Sequence, residues 1–132
     1  MKVVANAQQT WNEYSRLFLL RKLSPPPHSE HALFIVHGEP QRPEMVAGFC
    51  MYPTKGPYVF CEHLVTNPGV RPMVRHKGLC VLLGALKLYC ASTGKVPLIV
   101  ARHKGLVKVL MRAGYLPQQA LVLTAVPEME IP

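Results

Sequence analysis

The sequence predicts an α/β (α+β) domain: a mostly antiparallel sheet with one parallel pair of central strands, flanked by helices. Three observations lead there. A helical apolar periodicity runs over residues 8–23, three short β-rich segments follow in close succession, and two strand-to-helix alternations come late in the chain.

Taken in order, Trp11, Tyr14, Leu17, Phe18 and Leu20 recur at spacings that place most of them on one helical face. Pro25, Pro26 and Pro27 cannot continue that helix, because each ring removes an amide donor and disfavours the helical region for the residue before it. "HALFIVH" is short, apolar and closed by Gly38, Pro40 and Pro43, so it reads as a strand. "MVAGFCMY" is a second strand, and the turn "PTKGP" returns the chain into a third, "YVFCEHLVT", making an antiparallel meander. "GLCVLLGALKLYCAST", residues 78–93, has helical length and few β-branched residues. It ends at Gly94 and is apolar nearly all round, which predicts burial on more than one side. "VPLIVA" is a buried-type strand, residues 104–113 form a helix ended by Gly114, and "ALVLTAV" is a last strand. The two strand-to-helix units make "YVFCEHLVT" and "VPLIVA" parallel through a right-handed crossover.

The chain has 132 residues, 49% of them hydrophobic, which suffices for one cored domain over 1–132. Fifteen Lys and Arg residues against seven acidic ones give a net charge of +8. That balance implies a polyanionic partner or a basic solvated surface, and charge alone does not choose among nucleic acid, a phosphorylated cofactor and an acidic protein partner. The longest apolar run falls far short of the roughly 20 residues that span a bilayer, and the N-terminus has no signal-peptide apolar stretch, so the expectation is a cytoplasmic protein, monomer or homodimer, with no membrane partner. Cys50, Cys61, Cys80 and Cys90 form no CxxC pair and sit in apolar stretches, so reduced thiols are expected rather than disulfides. No metal is expected, because His28 and His31 have no thiolate nearby and four-ligand spacing is absent.

The element order, with Arg75-His76-Lys77-Gly78-Leu79-Cys80 between the third strand and its helix, resembles the GNAT acyltransferase superfamily, which binds acetyl-CoA. The likeness covers residues 8–126 and is strongest over 62–115. In that family the pyrophosphate loop reads Q/R-x-x-G-x-G/A, matched here except at Cys80. The free amides and positive end of a helix N-terminus, and a glycine that permits close approach, suit phosphate oxygens. The strand before it, Glu62-His63-Leu64-Val65-Thr66-Asn67-Pro68, resembles the family's E-x-L-x-V-x-P, so Leu64, Val65 and Thr66 would line the pantetheine arm. The segment from Pro68 to Arg75 is longer than usual, which leaves Arg71 as an alternative to Arg75 at the pyrophosphate. The family's N-x-x-A-x-x-x-Y-x-x-x-G-F falls on His103, Leu106, Leu110, Gly114 and Tyr115. Leu110 thus stands where the family often has the tyrosine that protonates the leaving thiolate, and His103 stands where an asparagine contacts the cofactor.

Glu62 is the only acidic residue between Glu44 and Glu128. It reads either as a general base for the attacking amine, directly or through water, or as a structural carboxylate paired with a nearby cation. Strand alternation places His63 on the opposite face in a structural role. His103 reads as a cofactor or substrate contact or as a solvated helix cap, and Tyr115 as core or as a substitute acid. Lys104, Lys108 and Arg112 share a helical face that is solvated or meets an acidic partner. Buried neutral thiols at Cys50 and Cys61 argue against an acyl-cysteine intermediate.

The resemblance implies an acetyl-CoA-dependent N-acyltransferase using no metal, acting on an amine of a protein or small molecule by direct attack. The alternative is a catalytically weakened binding module of the same fold that inhibits or modulates a protein partner. Small divergent chains of this family resemble acetyltransferase-like proteins carried by bacteriophages, which would place that partner in the host cytoplasm. Nucleic-acid binding has the charge but lacks an aromatic stacking platform or recognition helix. The pentapeptide "RHKGL" occurs twice, at 75–79 and 102–106, and both copies fall where a parallel strand hands over to a helix.

Overall fold

The computed structural model describes residues 1–5, 8–27, 32–101 and 104–117, and it divides into two compact units, Met1–Arg102 and His103–Pro132. In the first unit the order is β1 (Lys2–Val4), α1 (Gln8–Leu20), β2 (Leu33–His37), β3 (Met45–Pro53), β4 (Tyr58–Thr66), α2 (Pro72–Thr93) and β5 (Val96–Ile99). The five strands form one sheet in the order β1-β2-β3-β4-β5. The first four pair antiparallel and β4 pairs β5 in parallel, so the meander and the parallel relation read from the sequence are both present. The edge strand β1 was not anticipated, since three residues carry no period to read.

Strand alternation splits the core into two layers. Phe49 and Met51 of β3 pack with Val59 and Cys61 of β4 and with Leu82, Leu86 and Cys90 of α2. On the opposite face Leu33, Ile35, Cys50 and Val65 pack with Trp11, Tyr14, Leu17 and Phe18 of α1. Helix α1 stops at Leu20, earlier than residue 23, because Lys22 adopts a left-handed backbone with φ 58°. The Leu23 amide then reaches the Phe18 carbonyl at 2.9 Å and the Lys22 amide the Leu19 carbonyl at 3.0 Å, a Schellman closure. Leu20, the last helical residue, lies exposed, off the face that Trp11, Tyr14, Leu17 and Phe18 bury.

Helix α2 begins at Pro72, six residues before the start expected at Gly78. Proline suits the first helical position because the amide it lacks would have no intrahelical partner there. The "RHKGL" segment at 75–79 is therefore helical and not a loop. Nor is α2 buried all round: Gly78, Leu82, Leu83, Leu86 and Cys90 form one buried stripe, while Leu88 is exposed. Despite its length and apolar character, no described helix is long and apolar enough to cross a membrane.

In the second unit α3 (Lys104–Arg112) ends at Gly114, whose φ of 92° lets the Tyr115 amide return to the Leu110 carbonyl at 3.0 Å. The strand expected at 120–126 lies outside the described residues.

Gly78 has a packing task. A Cβ there would lie 2.6 Å from Cγ1 of Val46 and 3.3 Å from its Cβ, and a β-branched side chain cannot swing aside. Gly84, in the same helix, has nothing within 4 Å of that position. Gly84→Ala should raise stability by about 0.5–1 kcal/mol through helix propensity. Gly78→Ala should lower it by about 1–2 kcal/mol, as overpacking outweighs the same gain. Urea unfolding of the two variants checks the opposite signs.

Candidate functional site

The distinctive local geometry lies in β4. Up to Cys61 its odd-numbered residues turn their backbone toward β5: the Val96 amide donates to the Pro57 carbonyl at 2.8 Å and the Val100 amide to the Cys61 carbonyl at 3.0 Å. Pairing with β5 ends at Cys61 opposite Ile99. On the other side, Cys50 faces Glu62 and Gly48 faces Val65, which leaves His63 and Leu64 together across from Phe49. This is a β-bulge, with His63 in the left-handed region at φ 58°.

The bulge reverses the phase of the strand. Thr66 lies opposite Ala47, and the Asn67 amide donates to the Val46 carbonyl at 2.8 Å, so Ala47 and Thr66 are a non-hydrogen-bonded pair. The backbone groups of Thr66, and of Leu64 two residues earlier, therefore turn away from β3, toward the side on which β5 no longer pairs. Among the described residues the result is a stretch of strand edge without a partner strand, able to take an extended ligand as another strand.

Helix α1 and the residue just past its end fix both ends of that stretch. The Tyr14 hydroxyl donates to the His63 carbonyl at 2.5 Å, and the Cys50 thiol donates to the Tyr14 oxygen at 3.6 Å. Tyr14 reaches the bulge because Gly48 has no side chain; a Cβ there would stand 2.7 Å from the tyrosine ring. Burial pushes the Tyr14 phenol far above the usual tyrosine range, so it remains a donor. Seven residues on, Arg21 Nε donates to the Thr66 carbonyl at 2.8 Å and Nη2 to its hydroxyl at 2.5 Å. Burial, and then the neighbouring Arg75 guanidinium, lower the Arg21 pKa. Arg75 Nε is itself buried without a hydrogen-bond partner among the described residues. Two guanidinium groups thus lie close enough to repel one another near the start of α2, an arrangement that an anion would relieve.

The sequence-derived residues distribute as follows. Leu64 and Thr66 turn their backbone to the open edge, where the Thr66 carbonyl already accepts from Arg21 Nε. Val65 instead faces Gly48, and its side chain belongs to the core beneath α1. Arg75, His76, Lys77, Gly78, Leu79 and Cys80 are all helical, and the Arg75 amide is already spent on the Arg71 carbonyl at 3.0 Å. The amides without an intrahelical acceptor are those of Met73 and Val74, just after Arg71, the N-terminal flanking residue. In a register read from Arg71 these free amides stand at the helix start, whereas in one read from Arg75 the amides lie inside the helix. His76 and Cys80 lie exposed one turn apart, 3.7 Å between Nε2 and Sγ. Glu62 is half-exposed beside the bulge, with its carboxylate 3.6 Å from His63 Nε2. The positive φ of His63 breaks strand alternation, which is why it stands beside Glu62 and not on the opposite face. Tyr115 follows Gly114 in the second unit, and His103 lies outside the described residues.

Tyr14, Gly48, Arg21 and Asn67 were missed by motif reading. Asn67 is buried; its amide nitrogen donates to the Met45 carbonyl at 2.9 Å and its oxygen accepts from the Gly69 amide at 2.8 Å, shaping the turn into α2. Gly48 alone in the strand "MVAGFCMY" was the available signal, since an interior strand glycine marks close approach of another group. A cleft of about 370 Å³ lies beside this turn, bounded by Glu13, Arg16, Glu44, Asn67 and Gly69. Among the described residues no three His, Cys, Asp or Glu side chains gather where they could hold a metal ion.

No family model matches the sequence, and no curated protein does. Solved structures match over nearly the full length. A probable acetyltransferase aligns with a TM-score of 0.73 at 12% identity, over 96% of this chain and 97% of the other. AAC(6')-Iy, in complex with the bisubstrate analogue CoA-S-monomethyl-acetylneamine, aligns with a TM-score of 0.66 at 15% identity, over 96% and 97%. The aminoglycoside antibiotic 6'-N-acetyltransferase AAC(6')-Ih from Acinetobacter baumannii gives 0.63 at 12% identity, over 96% and 97%. The chain has the fold of acetyltransferases, the GNAT fold expected from its motifs.

Two predictions follow from the site's burial pattern. Tyr14→Phe should cost about 1–3 kcal/mol by leaving the His63 carbonyl unpaired, measured by urea unfolding. Burial raises the thiol pKa of Cys50, Cys61 and Cys90, whereas Cys80 is exposed. A thiol-disulfide reagent at about pH 8 should therefore label only Cys80 in the native protein and all four cysteines after unfolding.

Proposed function

We propose that the chain is an acetyl-CoA-dependent N-acyltransferase that passes an acetyl group to an amine of a protein or small molecule by direct attack. The observation that carries this reading is the open edge of β4, where the bulge turns the backbone of Leu64 and Thr66 toward the gap left by β5. A pantetheine arm has amide groups able to pair with such an edge as an added strand. The residues fit its phosphates as well: the free amides of Met73 and Val74, the Arg71 side chain, and the guanidinium groups of Arg21 and Arg75 supply donors and positive charge, with His76 and Lys77 further along α2. The AAC(6')-Iy complex, with its CoA-containing ligand on the same fold, supports this placement.

Acetyl-CoA would supply the electrophilic thioester carbonyl. Glu62, half-exposed at the bulge, is positioned to take a proton from the ammonium group so that the nitrogen lone pair is free to attack. Backbone donors of β4 polarise the carbonyl. In the second unit the resemblance assigns Tyr115 as a substitute proton donor to the leaving thiolate and His103, which lies outside the described residues, as a further contact to coenzyme or substrate. Leu110, which has no proton to give, is the observation that favours the second reading, a binding module that modulates a protein partner.

Calorimetric titration should show acetyl-CoA binding, weakened about tenfold in Arg71→Ala by loss of a charge-assisted contact. Glu62→Gln should keep that binding and lose most thiol release with an amine panel. Absence of coenzyme binding overturns the reading. Binding without turnover on any acceptor moves it to the second reading, and full turnover in Glu62→Gln removes Glu62 as the base.

A further inference from the structure

Beyond the bulge toward the β3–β4 turn, one face of the sheet has an unusual composition. Strand alternation puts Tyr58, Phe60 and Glu62 on one face of β4, and the register sets Tyr52 opposite Phe60 and Cys50 opposite Glu62. The core beneath α1 takes up Cys50 fully and Tyr52 only in part. Phe60 and Tyr58 remain 39% and 43% exposed, whereas Val59 and Cys61, facing α2, are buried. The His63 ring stands edge-on to Tyr52, with ring centres 6.4 Å apart. An aromatic strip therefore leads along the sheet to one carboxylate, which adjoins the open edge of β4.

The charges on this strip are few. Burial pushes the Tyr52 phenol up to about 12, so it is neutral. Glu62 is the only acidic residue of the chain between Glu44 and Glu128, within a protein of net charge +8. One carboxylate balances one ammonium group. Each further positive charge on a ligand would meet a predominantly basic protein. Aromatic faces, in turn, favour a flat or aliphatic body and attract a single cation held near them.

We infer that the Tyr52–Phe60–Glu62 strip is the acceptor site, and that it takes a monoamine, its ammonium group at Glu62 and its aromatic or aliphatic body along Phe60 and Tyr52. A monoamine acceptor would separate the chain from the aminoglycoside antibiotic 6'-N-acetyltransferase that shares its fold. The inference rests on the acetyl-transfer reading for the fate of the amine, but amine binding is measurable without turnover.

Saturation-transfer NMR on the full chain, with and without acetyl-CoA, would compare phenethylamine, its neutral analogue 2-phenylethanol, and kanamycin. Phenethylamine should bind at least about tenfold more tightly than either of the others, with its ring protons receiving most of the transfer. Phe60→Ser and Glu62→Gln should each weaken it about fivefold or more, and Tyr58→Ser provides a second, more exposed substitution should Phe60→Ser fail to fold by circular dichroism. Kanamycin binding as tightly as phenethylamine, no phenethylamine binding, or affinity unaltered in Phe60→Ser and Tyr58→Ser would each overturn the inference. Loss of acetyl-CoA binding with phenethylamine binding retained would instead count against the acetyl-transfer reading alone.

Discussion

The candidate site depends on one hydrogen bond, from the Tyr14 hydroxyl to the His63 carbonyl. A bulge leaves a residue outside the ladder, and a buried carbonyl without a donor is expensive. Tyr14 supplies that donor from the neighbouring layer, through a gap that exists because residue 48 is glycine. The Cys50 thiol, directly across from Glu62, completes the chain by donating to the tyrosine oxygen. With the bulge secured, the strand can pair with β5 through its odd residues before it and offer its even residues to the opening after it. One extra residue thus converts an ordinary central strand into one with a usable edge.

Electrostatics then distinguishes the two ends of this edge. At the Thr66 end, Arg21 and Arg75 repel one another near a helix start that carries partial positive charge of its own. At the Glu62 end, a carboxylate and an imidazole stand among aromatic rings. Positive potential at one end and a lone acidic group at the other fit a ligand that is anionic in its distal part and meets a cationic amine at its reactive tip.

Much of the fold was legible because its strands are separated by strong turn residues. The "YVFCEHLVT" segment matches β4 at both ends, and its parallel relation to the segment at 96–101 follows from the helix between them. The start of α2 was not legible, because a glycine in a basic motif reads as a loop, while Gly78 is in fact a helical residue packed on Val46. The side of His63 was not legible either, since a two-residue period holds only while the ladder stays regular. Glu62 stood out by its isolation in the sequence. Tyr14 and Arg21 did not, because Tyr14 reads as one more aromatic on an amphipathic face and Arg21 as one more cation in a basic chain.

The two ties from α1 to β4 have a metric consequence. Tyr14, in α1, and Arg21, the residue just past its end at Leu20, are seven residues apart, about 10 Å at the helical rise of ~1.5 Å per residue that holds as far as Leu20. The carbonyls that they hold, at His63 and Thr66, are three residues apart across the bulge, at most about 10 Å along the strand. Helix and strand are commensurate over this span, as two scales are where their marks coincide. Neither can slip by a residue against the other without surrendering one of the ties, so the length of the open edge is gauged by the helix that lies against it.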